Sequence, residues 1–266
     1  MFDEELRKKL IKNFSKFKID RSKKVEYPPV ALSVGEISIG QTIYPIPFGT
    51  YGNFSALVGG TKVGKSFFKS LVTASYIGGD ANKYAPSFKT FRESDKYILD
   101  FDTEQGEWHA QMGAKRVDKI TGGSYENYKP FMLRELDFQE RVEFIEYCLF
   151  EKFKNNVGFV FIDGIADLIS DVNSLQESNE IIQKLMMWSS KTKSHINVVI
   201  HSNYGSNKAT GHLGSAINKK AETVCQLERD GDYTKVTFPF CRGFKADDFK
   251  FTLDTFGLPH IEDLEF

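Results

Sequence analysis

The chain has no surplus of positive charge. Its 35 lysines and arginines are offset by 36 aspartates and glutamates, for a formal net charge of -1. That balance excludes a protein that holds nucleic acid by overall basicity and leaves only a local patch for the purpose. Cysteine is scarce as well. Cys148, Cys225 and Cys241 lie far apart and form no Cys-x-x-Cys pair, so neither a zinc site nor a disulfide framework is expected. Each reads as a small buried apolar residue in a reducing compartment. His109, His195, His212 and His260 stand without partners at metal-ligand spacing and are assigned to surface or core. No apolar run approaches the roughly 18 residues of a membrane span, and residues 1–9 lack the apolar core of a signal peptide. The expectation is a cytoplasmic protein with no membrane contact.

What is present is organised around residues 59–66. They read Gly-Gly-Thr-Lys-Val-Gly-Lys-Ser and fit Gly-x-x-x-x-Gly-Lys-[Ser/Thr] without a mismatch. Glycines between a strand and a helix let successive backbone N–H groups turn inward on a phosphate, and the helix N-terminus adds partial positive charge. Lys65 then reaches the β- and γ-phosphates, and the hydroxyl of Ser66 holds Mg²⁺. The expected cofactors are ATP and Mg²⁺, with nucleotide contacts from Gly59, Gly60, Thr61, Lys62, Val63, Gly64, Lys65, Ser66 and Phe67. Lys62 reads equally as a solvated charge. The flanks support the motif: residues 53–58 are an apolar strand, and residues 67–77 are a helical run closed by Gly78 and Gly79.

At 266 residues the length suits one large α/β domain. The expected division is an amphipathic helix and linker over residues 1–30 and one domain over 31–266. The helix, residues 3–17, carries Leu6, Leu10, Ile11 and Phe14 on one face; it either packs on its own domain or docks on a neighbouring subunit. Residues 31–39 and 42–48 read as short edge strands broken by Gly and Pro, beside the nucleotide site. After the loop, strand 96–102 ends in Asp102, Thr103, Glu104 and Gln105, where a carboxylate can face the phosphates. A helix over 106–120, a strand over 129–134 and a helix begun by the capping box Asp137 to Glu140 follow.

Residues 157–162 form an uninterrupted apolar run ending in Asp163, the second Mg²⁺ ligand that a phosphate loop requires. Residues 170–178 read as a loop, 177–191 as a helix, 196–200 as a buried strand ending in His201, and 204–214 as a glycine-bearing mobile loop. From 221 the pattern alternates in strands 221–227, 233–238 and 249–253. The fold expected is α/β, a mostly parallel sheet flanked by helices with an antiparallel C-terminal hairpin extension.

With these residues the chain resembles the RecA-like P-loop NTPases, and within them the hexameric superfamily 4 type, similar to plasmid RepA-type and DnaB-type replicative helicases. The resemblance spans about residues 50–255 and rests on 59–66, Asp102-Thr-Glu104, residues 162–168, the strand ending in His201, and Arg242-Gly-Phe-Lys245. It implies that Glu104 activates the attacking water, with Asp102 as the alternative base, and that His201 senses the γ-phosphate. It further implies that Arg242, or else Lys245, completes a neighbour's site in a homo-oligomeric ring, a hexamer by analogy. Loops 170–178 and 203–214, with Tyr204 and Lys208, would grip single-stranded DNA in a pore. The implied catalytic set is Lys65, Glu104, Asp163, His201 and Arg242, with Ser66 and Asp163 on the metal. The implied function is a DNA-dependent motor ATPase, helicase-like, for replication, recombination or repair. The alternative is a regulatory ATPase that binds protein partners without DNA. A small-molecule phosphotransferase would need an arginine-rich lid, whereas only Arg229 and Arg242 follow Asp163.

Overall fold

The computed structural model of the chain describes residues 2–154, 156–203 and 209–262. A helix, α1 (Glu4–Phe17), precedes a hairpin of β1 (Val30–Ile39) and β2 (Thr42–Thr50). Next, β3 (Phe54–Gly59) and α2 (Lys65–Ile77) flank the phosphate-loop motif, and a short β4 (Phe88–Thr90) follows. Then come β5 (Tyr97–Asp102), α3 (Glu107–Thr121), β6 (Tyr128–Met132), α4 (Phe138–Tyr147), β7 (Val157–Asp163), α5 (Leu175–Thr192), β8 (His195–His201) and α6 (Gly211–Lys220). Four strands close the chain: β9 (Thr223–Asp230), β10 (Tyr233–Cys241), β11 (Phe249–Leu253) and β12 (Pro259–Glu262).

The principal sheet has the order β12-β11-β10-β9-β3-β8-β7-β5-β6. Neighbours from β9 to β6 are parallel and those from β9 to β12 antiparallel. The mostly parallel α/β sheet with an antiparallel C-terminal extension is therefore as expected. Its cause is legible in β3 and β7, which are buried along their whole lengths, a pattern tolerated only where helices cover both faces.

On one face α2 and α3 pack Phe68, Leu71 and Ile120 over Leu57, Phe159 and Val199. On the other, α4, α5 and α6 set Ile145, Leu185, Trp188 and Ile217 against Ala56, Phe101 and Ile162. The chain thus leaves β3 toward one face and its neighbour β8 toward the other. A crevice opens where such connections diverge, at the C-terminal ends of the strands, and open α/β sheets hold ligands there.

Some local expectations are revised. Residues 31–39 and 42–48 form strands as expected, the second at a sheet edge and the first central, but not beside the phosphate-loop motif. They lie in two long strands of a separate sheet, order β2-β1-β4, whose register shifts accommodate Gly35, Pro45 and Pro47. The hairpin base meets the far end of the principal sheet, where His195, opening β8, donates from Nδ1 to the Thr50 carbonyl at 3.0 Å. There the Glu222 carboxylate also accepts from Thr50 N and Oγ1 at 2.8 and 2.7 Å. Residues 170–178 and 203–214 are not loops to their ends: α5 begins at Leu175 under the Ser174 cap, and α6 begins at Gly211. Tyr204 and Lys208 lie outside the described residues. The helix α1 forms with Asp3 as its cap, but it buries none of its residues. Among the described residues no helix is long and apolar enough to cross a membrane.

Candidate functional site

The phosphate-loop motif sits in the crevice at the divergence of β3 and β8. Gly59 ends β3 in register with His201 of β8 and Leu227 of β9. The backbone then turns into α2 through positive φ at Lys62 (63°) and Gly64 (91°). Position 64 needs glycine for space as well, because a Cβ would stand 3.2 Å from both Thr234 Oγ1 and Phe251 Cζ. Thr234 is held there by donating to the Val63 carbonyl at 2.9 Å. The antiparallel extension therefore braces the loop from the side.

Lys65 folds back over this turn, its ammonium donating to the carbonyls of Gly59 at 3.0 Å and Gly60 at 2.6 Å. It also stands 3.2 Å from His201 Nδ1, and the opposite ring nitrogen, Nε2, lies 3.3 Å from Glu104 Oε1. A polar chain Lys65–His201–Glu104 thus crosses the strand ends. Its electrostatics are matched. Burial pushes the Lys65 ammonium below the ordinary lysine value, against Glu104 and Asp163, which hold it up. The hydrogen bond with His201, helped by Lys65 and Lys69, outweighs burial and holds the Glu104 carboxyl below its ordinary value.

Glu104 reaches this place through a built turn. Asp102 Oδ1 accepts from the N–H groups of Glu104 and Gln105 at 3.1 and 2.8 Å. Thr103 ties the end of β5 to β7, donating from N and Oγ1 to the Asp163 carbonyl at 3.0 and 2.8 Å. Asp102, the alternative base, serves here as the turn's acceptor, and burial raises its carboxyl despite Lys69 nearby. From α4, Arg141 donates to the carbonyls of Leu133 and Asp167 at 3.1 and 2.9 Å, stitching the connections after β6 and β7 together.

One cavity of about 420 Å³ gathers most of the expected site: Thr61, Lys62, Gly64, Lys65, Ser66, Phe67, Glu104, Asp163 and His201 line it. Gly59, Gly60 and Val63 complete the turn beneath. Arg229, Thr234, Phe251 and Leu253 form its outer wall. Arg229 pairs with Thr234 across the β9–β10 hairpin, and only the hairpin's position beside β3 brings it to the loop. Arg242 is not brought to this cavity. It follows β10 at the opposite end, where Cys241 pairs with Thr223, and donates from Nη2 to the Lys220 carbonyl at 3.1 Å. Lys245 pairs with Asp248 at 3.2 Å.

Asp163 carries a partner that the sequence reading missed. Lys69, a turn of helix beyond Lys65, places Nζ 3.1 Å from Asp163 Oδ2 and 3.0 Å from Asp100 Oδ1, and Tyr128 donates to Asp100 Oδ2 at 2.8 Å. Burial opposes the Lys69 charge, but Asp100, Asp163 and Asp102 outweigh it and hold the ammonium well above the ordinary lysine value. The other Asp163 oxygen has no donor among the described residues. That free oxygen and the Ser66 hydroxyl are hard ligands of the kind Mg²⁺ takes alongside phosphate and water, so the residues present fit that ion. No group of three or more His, Cys, Asp or Glu among the described residues is arranged to hold a metal by itself. No protein-family model matches the chain, and no curated protein matches it.

Proposed function

We propose that the chain is a Mg²⁺-dependent ATPase of the RecA-like type in which Glu104 activates the attacking water. The observation that carries this reading is the chain Lys65–His201–Glu104, which joins the loop ammonium to a carboxylate kept ionised at the mouth of the same cavity. In use, the loop N–H groups and Lys65 hold the phosphates, and Lys65 exchanges its Gly59 and Gly60 carbonyl contacts for phosphate oxygens. Glu104 takes a proton from the water as it attacks in line. His201 spans the distance between the phosphate-binding cation and that base, so a change at one is felt by the other. Mg²⁺, held by Ser66 and Asp163, would supply charge for the β- and γ-oxygens. Replacing Lys65 with Ala should weaken ATP binding and abolish turnover; turnover equal to the wild type would remove the loop from the reaction.

Ring assembly, with a hexamer as the first expectation, and action on single-stranded DNA are further parts of the proposal. Support for self-association comes from α1, whose Ile11 and Phe14 are 61% and 72% exposed. One observation favours the second reading, a regulatory ATPase with protein partners. Residues 170–178 contain Asp171 and Glu177 but no lysine or arginine, and Glu177 is committed to Ser170 N and Oγ at 2.7 and 2.8 Å. Phosphate neutralisation, the main source of strand affinity, has no donor in that segment. The ATPase rate with and without single-stranded DNA decides: stimulation that fades with salt supports the motor, and a rate indifferent to DNA supports the regulator.

A further inference from the structure

A second cavity, of about 630 Å³, adjoins the first and falls within the roughly 300–1,000 Å³ of small-molecule sites. It lies between α3, the start of α2 and the C-terminal ends of β5 and β6, and it shares Ser66, Phe67 and Gln105 with the phosphate-loop cavity. Phe67, Trp108, Phe131 and Met132 give it apolar walls. Its charged lining is three carboxylates, Asp100, Asp102 and Glu107, against two cations, Lys69 and Arg116.

Both cations are already engaged. Lys69 pairs with Asp100 and Asp163, and Arg116 donates to Ser70 Oγ at 3.2 Å with its guanidinium 4.1 Å over the Phe67 ring. Asp102 is only half satisfied. It is 6% exposed, its Oδ1 serves the turn, and its Oδ2 has no donor among the described residues. That oxygen stays open to solvent at the cavity wall, where a donor brought by a ligand can take the place of water. Gly113, which also lines the cavity, offers a probe of it. It lies in the interior of α3, where glycine is unfavourable, and nothing stands within 4 Å of the place its Cβ would take. No neighbour requires glycine there, so a larger side chain can be introduced at the cavity's lining without a clash.

We propose that this cavity binds a small protonated amine carried on an aromatic body, the ammonium donating to Asp102 and the ring lying among Phe67, Trp108 and Phe131. The excess of carboxylates favours a cation, and a cation near aromatic rings gains further from their faces. The site does not depend on nucleotide hydrolysis, so the two readings fail separately.

The test uses the full chain without nucleotide, 2-phenylethylamine as probe, and tryptophan fluorescence as readout. Trp108 is 66% exposed at the cavity and Trp188 fully buried elsewhere, so Trp108→Phe should remove the response. The expected result is a saturable change with 2-phenylethylamine and at least tenfold weaker binding of 3-phenylpropionate, which has the same ring and the opposite charge. Asp102→Asn, which keeps an acceptor for the turn, should weaken the amine about tenfold. Gly113→Leu should leave the thermal midpoint equal or higher while abolishing binding, and it decides alone if Asp102→Asn does not fold. No saturable response at millimolar probe, equal binding of the anion, or unchanged affinity in Gly113→Leu overturns the proposal.

Discussion

Lys69 and Asp163 form a buried ion pair, Nζ to Oδ2 at 3.1 Å, that fastens the helix behind the phosphate loop to the end of β7. Because Asp100 shares the same ammonium at 3.0 Å, three charges on α2, β5 and β7 stand or fall together. The cavity-facing carboxylate of Asp163 is thus aimed by a residue outside the loop motif.

Removing one member of such a cluster leaves its partners charged and dry. Lys69→Met should destabilise the protein by about 3–5 kcal/mol, read as a lower midpoint in urea unfolding, and adding Asp100→Asn should recover part of that loss. A single-variant loss under about 1 kcal/mol, the range of exposed pairs, would contradict the buried pairing.

A second expectation concerns pH. The hydrogen bond with His201 keeps the folded Glu104 carboxyl below its ordinary 4.5. Its contribution to stability is therefore present above pH 4.5 and lost as pH falls through the lower folded value. Carboxyl-observed NMR titration should show the Glu104 midpoint rising in His201→Ala; an unmoved midpoint would mean that the pair is absent in solution.

Gly64→Ala tests the loop itself. The substitution meets φ of 91° and contacts of 3.2 Å to Thr234 and Phe251, and strain of this kind costs about 1–3 kcal/mol. Nucleotide affinity should fall along with the thermal midpoint, whereas Gly231→Ala, with positive φ but open space around it, should spare nucleotide binding.

Legibility in the sequence followed the range of the interactions involved. The turn at residues 59–66, the strands ending at Asp102 and Asp163, and the capping box at Asp137 and Glu140 are local patterns, and each forms where expected. The β1–β2–β4 sheet was misplaced because Gly35, Pro45 and Pro47 break the alternation; β1 and β2 pair locally as a hairpin, but the strand that makes them a separate sheet, β4, lies about fifty residues further along the chain than β1. Lys69 gave a signal that went unread: a lone charge between Phe68 and Leu71 in an apolar helical run, matched by Asp100 inside an apolar strand. Each of those burials requires a partner, but which partner depends on β5 lying beside β7. Arg229 likewise reaches the loop only because β9 packs beside β3.

The two arginines after Asp163 should separate by subunit. Arg229 lines its own loop's cavity, so Arg229→Ala should weaken nucleotide binding at every protein concentration. Arg242 lies at the far end of its own sheet; if it serves a neighbour's γ-phosphate, a trans-acting arginine is worth on the order of 10³ to 10⁵ in rate. Mixed oligomers of Lys65→Ala and Arg242→Ala should then regain part of the activity that each lacks. Normal hydrolysis by Arg242→Ala would pass the role to Lys245.

Glu104→Gln is the most direct trial of the proposed chemistry, since it keeps the side chain's size and its contact with His201 while removing the base. The measurement is ATP binding and single-turnover hydrolysis by the same preparation in Mg²⁺. Retained binding with hydrolysis reduced by about 10² to 10⁴ is the expected result, the range for losing a general base. Hydrolysis at the wild-type rate would contradict the role of Glu104 and, with it, the proposed mechanism.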